Sequence, residues 1–238
     1  MLKCAKKEYK DMDEKENAQK ELLGAEEEEI LRFGAAASHG VHCISVIGQI
    51  EGHYALQQGS KATKYEHLLP IIVGAEEEER VRGLLVIINT VGGDVEAGLA
   101  IAELLASISK PTVSLVIGGG HSIGVPIAVS CRRSFIVPSA TMTLHPVRIT
   151  GTVLGIWQSF DYLSRMQKRV TDFVVAHSHV TEERFLKMLT NTNDMANDVG
   201  TIVDGKSAVE CGLIDKLGGL SSALAALHEM IAEAEAEK

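Results

Sequence analysis

A chain of 238 residues, 45% of them hydrophobic, is long enough to bury a full core, and its formal charge of −9 argues against a nucleic-acid backbone as partner, which needs clustered Lys and Arg. The acid sits at the ends: residues 1–30 hold ten acids against six lysines and residues 229–238 hold four glutamates against one lysine, so the body between is nearly neutral. Four cysteines, Cys4, Cys43, Cys131 and Cys211, show no CxxC spacing, which speaks against a disulfide frame or a zinc site, and no metal or cofactor is expected.

The opening residues are charged and lack the apolar stretch of a secretory signal, and no later apolar run approaches the ~20 residues needed to span a bilayer. A soluble, cytoplasmic protein is expected. Residues 1–39 mix charge with small side chains and read as a flexible charged arm, and residues 40–238 read as one domain.

Along that domain, VHCISVIG has the β-branched character of a strand and stops at Gly48. The polar stretch between Gly52 and Lys64 reads as a surface loop, followed by a helix from about Tyr65. GLLVIINT is apolar on consecutive positions, as a strand covered on both faces requires. Asp94 then caps an amphipathic helix in which Val95, Leu99, Ala102, Leu105 and Ile108 recur at helical spacing. VSLVI is a strand, GGGHSIG turns into a helix reaching about Cys131, and SFIV and TMTL are two short strands. A helix of five to six turns is predicted from Ile156, a second at TEERFLKML and a short one at GKSAVECG, before a charged C-terminal helix. The alternation of strand, turn and helix predicts an α/β fold.

Gly120-His121-Ser122-Ile123-Gly124 fits G-x-S-x-G and lies between an apolar strand and a helix, the context in which a serine is exposed on a sharp turn as a nucleophile. The competing reading is a polar helix opener in a glycine turn. A P-loop is unmatched, because no lysine stands where GxxxxGK[ST] needs one. His145, at the end of the TMTL strand with Pro146 behind it, is the candidate base. His121 adjoins the serine but should point the other way. An oxyanion needs two donors aimed at one point; the Gly pair in NTVGGD lets main chain approach a substrate carbonyl, so the Gly93 and Ile123 amides are the candidate pair. For an acid to orient the histidine, Asp194, Asp198 and Asp204 are all available, and spacing does not choose among them.

In order, GQIEGH, IINTVGGDVEAG, GGGHSIG, VPSATMTLHP and SAVECGLID resemble the proteolytic subunits of Clp protease (ClpP), and more narrowly the translocation-enhancing branch of that family. The resemblance runs from about Gly48 to Leu217. It implies the ClpP/crotonase-like spiral of ββα units, with the helix from Ile156 as a protruding handle. Carried over residue by residue, Ser122 is the nucleophile, His145 the base, and Gly93 and Ile123 the oxyanion donors. The family's aspartate falls on Gly200, so Asp198 serves as the acid after a two-residue shift, with Asp204 as the fallback. The implied partners are peptide or unfolded protein substrates and further copies of the chain in a ring, heptameric by resemblance, with ring size open. The family's unfoldase-contacting N-terminal segment has no counterpart in residues 1–40, which speaks against an unfoldase partner.

The function expected is an ATP-independent serine endopeptidase acting on peptides or on unfolded or secretory polypeptides. A non-hydrolytic scaffold binding such chains is the alternative. An α/β-hydrolase esterase is disfavoured because its triad runs Ser, acid, His along the chain. A crotonase-type acyl-CoA enzyme would not need the pairing of Ser122 with His145.

Overall fold

The computed structural model describes residues 36–38, 40–57, 59–149, 155–192 and 199–237. Nine strands are described: β1 (Ala36–Ser38), β2 (Val41–Glu51), β3 (Ala62–Lys64), β4 (Gly83–Gly93), β5 (Thr112–Gly120), β6 (Arg133–Ile136), β7 (Thr141–Leu144), β8 (Thr201–Asp204) and β9 (Lys216–Leu217). They run in the order β1-β2-β4-β5-β6-β9, with β3 on β2 and the β7–β8 pair branching from β5. All pairings are parallel except β1 with β2 and β7 with β8.

Seven helices lie among the described residues: α1 (Tyr65–Glu77), α2 (Val95–Ser107), α3 (Gly124–Val129), α4 (Ile156–Ala176), α5 (Glu182–Leu189), α6 (Gly205–Glu210) and α7 (Leu220–Ala236). Side chains alternate across the sheet, as the pleat demands. Ile44, Val46, Val86, Ile88 and Val116 face a core shared with α1 to α6, whereas Val41, Leu85, Val113 and Leu115 face Leu227 and Ile231 of α7. Consecutive apolar positions in β4 and β5 therefore reflect cover on both faces of a mixed α/β sheet of mostly parallel strands.

The structure adds β1, β3, β8 and β9 to the five strands read from the sequence, and β2, β4 and β5 run past the ends assigned to them. β2 continues past Gly48 to Glu51 with a register shift between Gly48 and Gln49, where the Gln49 N–H donates to the Lys61 carbonyl instead. β3 lies in the stretch read as loop, and β1 lies within the segment assigned to the arm. The rest of that arm is outside the described residues. The long helix is confirmed as α4: its inner turns bury Met166, Val170, Phe173 and Val174, while Ile156, Trp157 and Phe160 are 77%, 82% and 68% exposed. Apolar residues on its outer half are left without cover from the described body of the chain.

Candidate active site

Two neighbouring parallel strands, β4 and β5, end at the same edge of the sheet, and each delivers one half of the site. Carboxyl ends of parallel strands are where open α/β sheets bind ligands, because the chain must turn there and exposes its main chain.

From β5 the chain turns through His121 into α3, with Ser122 at the corner. Ser122 has φ +56°, the only described non-glycine residue in the left-handed region, and such a conformation persists only when its surroundings hold it. Its N–H donates to the Thr143 carbonyl at 2.8 Å and its own carbonyl accepts from Val125 at 3.0 Å. The next amide, Ile123 N–H, finds no acceptor among the described residues and lies in the first turn before a fully buried helix.

At the end of β4, Gly92 and Gly93 pass against this corner. Gly92 has φ +91°, and a Cβ on it would stand 2.7 Å from Ser122 Cβ, so only glycine lets the strand pass so close. The turn is tied down on three sides. Asp94 N–H donates to the Ile50 carbonyl at 3.0 Å, and Asp94 Oδ1 caps α2 by accepting from Ala97 at 2.8 Å. Thr90, 1% exposed, donates from Oγ1 to the Gly48 carbonyl at 2.6 Å and accepts from Gly92 N–H at 3.0 Å. The Thr90 carbonyl accepts from His121 N–H at 3.1 Å, joining the two strand ends.

β7 supplies the third part. Thr143 holds Ser122 through its carbonyl, and two residues on, past Leu144, stands His145. The His145 Nδ1 donates to the Pro146 carbonyl at 2.8 Å. An acceptor-only carbonyl on Nδ1 puts the proton there and leaves Nε2 with the lone pair. Gly93, Ser122, Ile123 and His145 line one cleft of about 130 Å³, whose remaining wall includes Val95, Val125, Val170, Phe185 and Leu189. Among the described residues no hydrogen bond joins Ser122 Oγ to His145.

His121 turns away, as expected. Its Nδ1 lies 2.9 Å from Thr143 Oγ1, and partial burial pushes its pKa down. Asp194 and Asp198 lie outside the described residues. Asp204 does not reach the imidazole: β7 and β8 pair Leu144 with Thr201 and Thr141 with Asp204, so the carboxylate is at the far end of the pair. There it caps α6, accepting from Ser207 N–H at 2.8 Å, a bond that holds its pKa below the usual range. The fallback acid is thus excluded by strand register.

Sequence reasoning passed over Thr90 as a site residue, and it named Gly200 without seeing how tightly it packs. Thr90 carried a signal, a polar side chain inside an apolar strand run, which must find buried partners. Gly200 stands against the base: a Cβ there would lie 2.3 Å from the Leu144 carbonyl and 3.0 Å from His145 Cβ. Among the described residues no group of three or more His, Cys, Asp or Glu could hold a metal ion, and no helix is long and apolar enough to cross a membrane. Burial pushes the Cys131 thiol up to about 12, which suits an inert packing residue.

A parallel sheet that brings a serine corner, a Gly–Gly main-chain cradle and a histidine to one edge defines a ClpP-like protein, and residues 34–220 match the Clp protease family, to which the chain belongs. Over 191 residues it is 56% identical to the translocation-enhancing protein TepA of Halalkalibacterium halodurans, covering 80% of this chain and 75% of that one. It is also 26% identical over 137 residues to the ATP-dependent Clp protease proteolytic subunit 1 of Protochlamydia amoebophila, covering 56% of this chain and 64% of that one. The proteolytic subunit of Lactococcus lactis subsp. lactis is likewise 26% identical, over 149 residues, with 60% of this chain and 70% of that one covered.

Proposed function

We propose that the chain is a serine endopeptidase of ClpP type, working in the cytoplasm without an ATPase on peptides or on unfolded or secretory polypeptides. The observation that carries this reading is the convergence of Ser122, His145, Gly93 and Ile123 on one cleft, with the Ile123 N–H lacking an acceptor among the described residues. Ser122 Oγ attacks the scissile carbonyl as His145 Nε2 takes its proton; the amides of Gly93 and Ile123 receive the oxyanion, and the proton passes to the leaving amine. Water then attacks the ester, His145 again accepting a proton and returning it to Ser122. The apolar wall of the cleft favours an apolar substrate side chain beside the scissile bond. The exposed end of α4, with Ile156, Trp157 and Phe160, supports assembly with further copies of the chain.

A second reading, a peptide-holding scaffold without turnover, is favoured by the missing hydrogen bond between Ser122 and His145. A fluorophosphonate probe and a set of fluorogenic peptides separate the two. Labelling of Ser122 with peptide hydrolysis, both lost in Ser122→Ala, is the expected result. A folded wild-type protein that binds peptide but is neither labelled nor hydrolytic would leave the scaffold standing.

A further inference from the structure

We propose that the base is oriented by main chain and not by an aspartate: the Pro146 carbonyl holds His145, and Gln167 holds that carbonyl in place. The inference rests on the peptidase reading for its catalytic meaning, but its geometry stands independently.

The Pro146 carbonyl and the Val147 N–H belong to one planar peptide unit. One side of that unit accepts from His145 Nδ1 at 2.8 Å. The other donates to Gln167 Oε1, also at 2.8 Å. Gln167 is fixed in turn, since its Nε2 donates to Thr171 Oγ1 at 3.2 Å, and Thr171 is 3% exposed on the inner part of α4. A chain of three hydrogen bonds therefore runs from the packed part of α4 to the imidazole. Nδ1 has a single N–H, and it is engaged.

Among the described residues no carboxylate hydrogen-bonds the imidazole. Gly200, on which the resemblance sets the aspartate, has φ +132°, and its N–H donates to the Asn191 carbonyl at 2.8 Å. Its α-carbon faces the Leu144 carbonyl and His145 Cβ so closely that no side chain fits. Asp204 is committed to capping α6. In turnover Nε2 takes the Ser122 proton while the Nδ1 proton stays where it is, and the positive charge on the ring is met by the carbonyl dipole. Gln167 is then a positioning residue, acting through the Pro146–Val147 peptide.

The test uses the full chain with ¹⁵N-labelled histidine, the His145 signals being identified by their loss in His145→Ala. Wild type should show the Nδ1–H tautomer alone. Gln167→Met, which keeps the size but removes the acceptor, should mix the tautomers and lower kcat by on the order of 10- to 100-fold with KM little changed, the scale of loss from a displaced catalytic group. Gln167→Glu keeps an oxygen for Val147 N–H and should restore the single tautomer and most of kcat. Asp198→Asn should leave the tautomer single and cost no more than a few-fold. The proposal is overturned if Gln167→Met changes neither quantity, or if Asp198→Asn mixes the tautomers or costs about 10⁴-fold, as losing an orienting carboxylate does. If the wild type hydrolyses nothing, the nitrogen spectra alone decide. Failure of the peptidase reading is seen in Ser122 labelling, and failure of this one in the imidazole.

Discussion

Thr90 is the most exacting place to test the site, because one buried hydroxyl ties β2 to the Gly92 amide. Thr90→Val keeps the shape and removes the oxygen. Two main-chain groups, the Gly48 carbonyl and the Gly92 N–H, then lose a partner, and each stranded polar group costs about 1–3 kcal/mol, giving about 2–6 kcal/mol together. Against a typical total of about 5–15 kcal/mol that is a large loss. Thr90→Ser keeps the oxygen and loses a methyl, which packs so closely on Gly124 that a Cβ there would stand 2.5 Å from it. That loss is about 1 kcal/mol. Because Gly92 and Gly93 form the cradle, a valine that loosens them should also slow fluorophosphonate labelling of Ser122 by up to about 10²-fold, the penalty of a displacement near 1 Å. Urea unfolding and labelling rates of the three proteins should rank wild type, Ser, Val in both measurements. Equal damage from Ser and Val would show that packing, not the hydroxyl, matters, and an unperturbed Val protein would refute the argument outright.

The glycines of two helices should respond with opposite signs. Gly74 in α1 has open space around a built Cβ, so Gly74→Ala should stabilise by about 0.5–1 kcal/mol in chemical denaturation, whereas a Cβ on Gly98 in α2 would meet Ile123 Cγ1 at 2.3 Å, so Gly98→Ala should destabilise and slow Ser122 labelling together. Replacing both Trp157 and Phe160 by Ala should lower the mass seen by light scattering without changing the unfolding midpoint of the subunit; an unchanged mass would clear the end of α4 of any part in assembly. Burial depresses the His121 pKa, so the unfolded chain binds its proton more readily than the folded one. The stability this neutral ring contributes is fully present above its unfolded pKa of about 6.5 and falls as pH drops through it. The acid-induced loss between about pH 7 and 5 should be smaller in His121→Gln, measured by urea unfolding at each pH.

How much of this was legible in the sequence depended on the range of the interactions involved. The serine corner is local: glycines on either side of Ser122, an apolar strand before and a helix after are enough to place it, as is the Gly pair before the Asp94 cap. His145 could be chosen because β7 follows that helix after only the short β6 and brings the chain back to the same end of the sheet. The acid could not, because the answer lies in the antiparallel register of β7 with β8, which puts Thr201 and not Asp204 beside Leu144 across more than fifty intervening residues. Asp204 itself carried a local sign of its real task, a serine three residues on, at the position whose amide it caps. Gln167 was hidden for the same reason as the register: on a helix stripe it is one more polar residue between Met166 and Val170, and only the fold shows that it meets Val147.

The glycine at 200 also limits what a substitution can add to the site. With the backbone pressed against the Leu144 carbonyl, any Cβ collides before a carboxylate can be reached. A carboxylate at this position requires the chain entering β8 to be rerouted first, so laboratory evolution toward faster hydrolysis will find its gains around the proline carbonyl and not by substitution at position 200.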